Sequence, residues 1–101
     1  MKTMTPVGIS KQMNRFALSL SHATYELEGV ETSIAFLGIS TEGDTVKVSI
    51  YFDEVIVGEI GNIKLVDDED DVVAHSTRIF IKPINKGLFT SFRYKLTEVE
   101  V

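Results

Sequence analysis

The groups in this sequence most able to do chemistry are its clustered carboxylates. Asp67, Asp68, Glu69, Asp70 and Asp71 follow one another without interruption. Adjacent like charges favour either a solvated loop or a bound cation. The spacing excludes an EF-hand. Counted from Asp67, acids fill the first, third and fifth positions, but Val72 stands where the sharp turn needs glycine, and Arg78 where a bidentate glutamate belongs. A charged turn between two apolar strands is the simpler reading. The stretch 26–71 holds thirteen acids against Lys47 and Lys64, so the run is also a candidate docking surface for a basic partner.

A second constellation lies in the last third, where Arg78, Lys82, Phe89, Phe92, Arg93 and Tyr94 interleave cations with rings. Single-stranded nucleic acids are held by such mixtures, with bases stacked on rings and phosphates paired to Lys or Arg. The fragment from Lys86 to Arg93 opens like the RNP1 pattern of RNA-recognition sheets, then departs from it, with Leu88, Thr90 and Arg93 where aromatics are required. Strand alternation supplies the competing reading: Phe92 and Tyr94 inward, Arg93 and Lys95 outward.

Of the two histidines, His22 falls on the polar side of a helical pattern. His75 shares the parity of Val73, Thr77, Ile79 and Ile81, which predicts a core-edge position. Ser76 adjoins it but, one residue along a strand, points to the opposite face, a poor base–nucleophile geometry. HExxH, GxSxG, Walker and dinucleotide-glycine motifs are absent. The chain has no cysteine, so disulfides and thiolate metal sites are excluded. We therefore expect no catalytic residue, no metal and no cofactor.

These groups must be placed by regular elements. Ile9, Met13, Phe16, Leu20, Ala23 and Leu27 recur at helical spacing, which predicts an amphipathic helix over 9–28 after a loose lead-in at 1–8. Ser10 or Thr5 would cap its start, and Gly29 would end it with a left-handed C-cap. Phe16, Leu18 and Leu20 also alternate, and Ser19, Ser21, His22, Thr24 and Tyr25 are weak helix formers, so strand is the alternative there. Everything after Gly29 reads as extended. Val46, Val48, Ile50 and Phe52 alternate most cleanly, and the consecutive apolar Val55, Ile56 and Val57 suggest a central strand or an edge covered by another subunit. Short loops favour antiparallel neighbours.

The expected fold is α+β: an N-terminal amphipathic helix packed on a mainly antiparallel sheet of about five strands, in one domain spanning 1–101. The alternative is an all-β sandwich of about seven strands. The chain is acidic, with net charge −5, yet its first 25 residues carry +3 and residues 72–101 carry +3. That sorting suits attraction between copies or toward a charged partner, and the acidic total argues against bulk nucleic-acid binding. No apolar stretch is long enough for a membrane span, and the short apolar run 16–20 does not make a secretory signal. The expectation is a cytoplasmic, non-enzymatic protein-interaction or assembly module with a protein partner or a second copy of itself. A single-stranded nucleic-acid-binding domain is the alternative.

Overall fold

The structure, a computed structural model, describes residues 3–97. One helix, α1 (Pro6–Ser19), precedes eight strands: β1 (Leu20–Leu27), β2 (Val30–Ile34), β3 (Gly38–Glu42), β4 (Thr45–Phe52), β5 (Gly58–Asp67), β6 (Val72–Ser76), β7 (Phe80–Lys82) and β8 (Leu88–Lys95). Every strand pairing is antiparallel. The larger sheet runs β2-β1-β5-β6, with β7 also on β5, and the smaller runs β3-β4-β8. The α+β class with an N-terminal helix on antiparallel sheet holds. The strands are shorter and more numerous than expected because the chain crosses between sheets three times, at β2–β3, β4–β5 and β7–β8.

Thr5 caps α1 by accepting the Gly8 N–H on its hydroxyl at 3.0 Å, and Pro6 occupies the first turn, where no N–H is needed. Met13 is buried, and Phe16 meets Tyr94 of β8 edge-on at 5.9 Å. The helix ends at Ser19, well short of the expected Gly29. The apolar residues 20, 23 and 27 continue its spacing, but 20–27 is a central strand with β2 on one side and β5 on the other. As a strand this weakly helical segment joins β2 to β5 and buries Leu20, Ala23 and Tyr25, so tertiary pairing overrides periodicity. Bulges at 20–22 and 24–26 let such a spacing fit a strand. Gly29 has positive φ as anticipated (83°), but with Glu28 (φ 50°) it forms the two-residue hairpin turn between β1 and β2.

Between the sheets lies the core: Ala23 and Tyr25 of β1, Val48, Ile50 and Phe52 of β4, and Ile60, Ile63 and Leu65 of β5. Phe52 spans the gap, meeting Tyr25 edge-on at 5.0 Å and Phe80 at 6.1 Å. The stretch 55–57 is no strand. It belongs to the connection from β4 to β5, where the Asp53 carboxylate accepts the Val55 N–H at 3.1 Å, and only Ile56 packs on the core.

The β6–β7 segment faces the other way from the expectation. Register pairs Leu65 with Ala74 and Ile60 with Phe80, so the even residues turn inward. Val73, His75, Ile79 and Ile81 are exposed. The inversion buries the Phe80 ring against Phe52, a larger apolar surface than any odd-numbered residue of the segment offers.

Candidate functional site

Each sheet has free edges, and one differs from the rest. β2 and β3 are five residues each, and the β6–β7 edge is interrupted at 77–79. β8 pairs with β4 over eight residues without a register shift, from Thr45 opposite Lys95 to Phe52 opposite Leu88. Its other side has no partner strand among the described residues. The Leu96 N–H donates to the Asp44 carbonyl at 2.9 Å, which continues this ladder by one hydrogen-bonded pair and fixes its phase. Hydrogen-bonded pairs alternate in antiparallel sheet. Leu88, Thr90, Phe92 and Tyr94 therefore bond β4, whereas Phe89, Ser91, Arg93 and Lys95 turn both N–H and C=O toward the open side.

Beside this edge the sandwich gapes. A groove of about 870 Å³ separates β8 from β6 and β7. Its apolar floor is made by Ile63 and Leu65 of β5, Phe80 of β7, and Leu88, Phe92 and Tyr94 of β8. Burial pushes the Tyr94 hydroxyl above its ordinary pKa of 10.0, and Tyr25 is raised by burial first and by the Asp53 carboxylate second. Among the described residues no acid lines the groove, and Arg78 stands at its rim.

On the outer face of the smaller sheet, Tyr51 and Phe89 lie opposite each other with ring centres 4.6 Å apart. Phe89 is 67% exposed. Tyr51 rests over Gly87, where any side chain would collide with its ring. One row on, the Ser49 and Ser91 hydroxyls are 3.5 Å apart. The next row sets Lys47 directly against Arg93, with no carboxylate in ion-pair reach of either among the described residues, and Lys95 then pairs with Asp44 at 3.6 Å.

The basic-aromatic constellation is thus divided by the pleat. Phe89 and Arg93 point outward, Phe92 and Tyr94 point into the groove, and Arg78 sits across it. Lys82 is 1% exposed, its stem in the core and its ammonium donating to the carbonyls of Ile56 and Pro83. It is closed to phosphate.

The acidic run forms the β5–β6 turn. Asp67 organises it: its Oδ1 accepts the N–H groups of Glu69 and Asp71, each at 2.9 Å, and Asp70 adopts φ 63°. The Asp68 N–H donates to Ser19 at the end of α1 at 2.8 Å, so this turn also anchors the helix. Asp68, Glu69, Asp70 and Asp71 are exposed. Among the described residues no three His, Cys, Asp or Glu side chains are placed to hold a metal ion.

His75 is exposed, and it has a partner that sequence reasoning missed. A bulge at Asn62 (φ 47°) directs that amide to the outer face, where its nitrogen donates to Glu26 at 2.8 Å and its oxygen lies 3.1 Å from His75 Nε2. The three residues come from three adjacent strands, and only the Gly61-Asn62 pair hinted at the bulge. This chain of polar groups lies on an open surface, and at its end His75 also lines the groove.

Comparison with known protein families, curated proteins and solved structures gave no match to this chain. Among the described residues no helix is long and apolar enough to cross a membrane. What the fold and site define is a class by architecture: a helix-capped antiparallel two-sheet domain with one long open edge.

Proposed function

We propose that this chain is a non-enzymatic protein-interaction module that takes an extended segment of a partner as an added strand along β8. The observation carrying this reading is the unbroken eight-residue edge, with four residues whose outward N–H and C=O groups have no strand partner among the described residues, beside an apolar groove. Strand addition draws affinity from main-chain hydrogen bonds and specificity from pockets for alternate side chains, and β8 supplies both. An edge this long and regular is otherwise an aggregation hazard.

Ser91→Pro provides the test. It removes one outward N–H without cutting the β4 ladder, since proline is tolerated at the open side of an edge strand. A fluorescent, capped Thr-Val repeat octapeptide should raise anisotropy with the wild-type protein and lose that binding with Ser91→Pro, while the melting temperature changes little. Equal binding by both proteins would refute the reading.

A second reading has its own observation in the exposed Tyr51–Phe89 pair next to Lys47 and Arg93. A single-stranded nucleic acid would stack a base on the rings and set a phosphate on the cations. It uses only part of the constellation expected from sequence, because Lys82, Phe92 and Tyr94 face inward. Oligothymidylate binding at low salt, falling steeply with added salt, would support it. Absence of binding at low salt would end it.

A further inference from the structure

We infer that the segment received by β8 carries apolar residues at every second position and, between them, acids beside Arg93 and Lys95. This rests on the strand-addition reading and adds the chemistry of the partner. Each residue of an added strand lies beside one residue of β8 and on the same face, whichever direction the strand runs. Residues beside Leu88, Thr90, Phe92 and Tyr94 enter the groove, whose floor is apolar and whose lining contains no acid among the described residues. Apolar side chains suit these positions.

Residues on the outer face meet a different series. Lys47 and Arg93 are forced together by the β4–β8 register with no carboxylate in ion-pair reach among the described residues. Like charges directly opposite one another destabilise a ladder, and an acid on a third strand relieves them. The Lys95 row adds a cation already shared with Asp44, and Arg78 extends the positive rim on the far side of the groove. Glu42 and Asp44 share a shallow hollow with Lys47 and Arg93 without coming into ion-pair distance of either, so Arg93 stays uncompensated in a chain whose net charge is −5. Beyond these rows, Ser91 and Ser49 suit a small polar residue, and Phe89 with Tyr51 suits an apolar or aromatic one. The partner therefore reads acid, apolar, acid, apolar, polar, apolar, aromatic, apolar across positions 95 to 88. A second copy docking through its own β8 offers Phe89, Ser91, Arg93 and Lys95 on its outer face and no acid, so it leaves Arg93 without a charge partner.

Three fluorescent, capped octapeptides provide the experiment: a Glu-Val repeat, a Thr-Val repeat and a Lys-Val repeat, titrated with the protein at low and moderate salt. The Glu-Val peptide should bind about tenfold more tightly than the Thr-Val peptide, about 1.4 kcal/mol. The Lys-Val peptide should bind more weakly than either. Arg93→Glu should reverse the order of the charged peptides, and the advantage of glutamate should shrink with salt. The protein's overall negative charge works against the Glu-Val peptide, so such a preference has to arise locally. Equal affinity for all three would overturn the charge rule and leave strand addition standing. Failure of all three to bind would overturn both. A β8-mediated dimer that displaces the Glu-Val peptide would identify a second copy as the occupant and overturn the assignment.

Discussion

Shortening Phe52 should weaken the contact between the two sheets more than any outward change on the same strand. Phe52 is 0% exposed and meets Tyr25 and Phe80, both from the opposite sheet, at 5.0 and 6.1 Å. A buried phenyl side chain hides about 150–200 Å², worth about 4–5 kcal/mol at ~25 cal/mol per Å². Phe→Ala changes in packed cores cost about 3–5 kcal/mol, so Phe52→Ala should remove a large share of the roughly 5–15 kcal/mol that holds a domain folded. Phe52→Leu retains most of the volume, loses both edge contacts and should cost about 1–2 kcal/mol. At about 4–8 °C per kcal/mol for a chain of this size, the leucine variant should melt roughly 4–16 °C lower. Tyr51→Leu, one residue back and on the outer face, should cost less than about 1 kcal/mol. Urea and thermal unfolding followed by circular dichroism give all three values. A Phe52→Leu variant as stable as the wild type, or a Tyr51→Leu cost exceeding it, would refute the inter-sheet role of Phe52 and the parity of β4.

Other expectations follow from the same geometry. Tyr25 and Tyr94 have folded-state pKa values above 10.0, so the unfolded chain releases those protons first. Their contribution is full below about pH 10 and is lost as pH rises through the folded values; urea midpoints should fall above pH 10, and Tyr25→Phe with Tyr94→Phe should flatten that fall. Gly58 has φ 125°, and a Cβ there would stand 2.5 Å from the Glu28 carboxylate that accepts the Glu59 N–H. Gly58→Ala should therefore cost about 1–3 kcal/mol, and an unchanged unfolding midpoint would contradict this. Thr5→Ala removes the helix cap and should cost about 1 kcal/mol, read as a lower melting temperature that Thr5→Ser restores.

How far the fold could be read from sequence depended on which force set each element. β4 was legible because Val46, Val48, Ile50 and Phe52 are all fully buried and their neighbours are not, so binary pattern and burial agree. The first half of the helix was legible for the same reason. Residues 20–27 were not, because they carry helical spacing while their backbone is claimed by partners at 30–34 and 60–67. Val73, His75, Ile79 and Ile81 alternate as convincingly as β4, yet the Asp67-centred turn and the pairing with β5 set the opposite parity. Of the candidate site, Phe92 and Tyr94 inward with Arg93 and Lys95 outward follow from alternation alone. Phe89 was placed with its neighbours by composition and lies on the other face. The open edge itself has no local signature. Which strands lack a partner is a property of topology, as is the meeting of Glu26, Asn62 and His75.

The most direct measurement of the central claim is amide hydrogen exchange along β8, residue by residue, in the free protein and with the Glu-Val octapeptide. In the free protein Thr90, Phe92 and Tyr94 should exchange slowly and Phe89, Ser91, Arg93 and Lys95 quickly; peptide should slow the second set and leave the first unchanged. Uniform protection of 88–95 without peptide, or fast exchange at the odd positions that peptide leaves untouched, would contradict an open, strand-accepting edge.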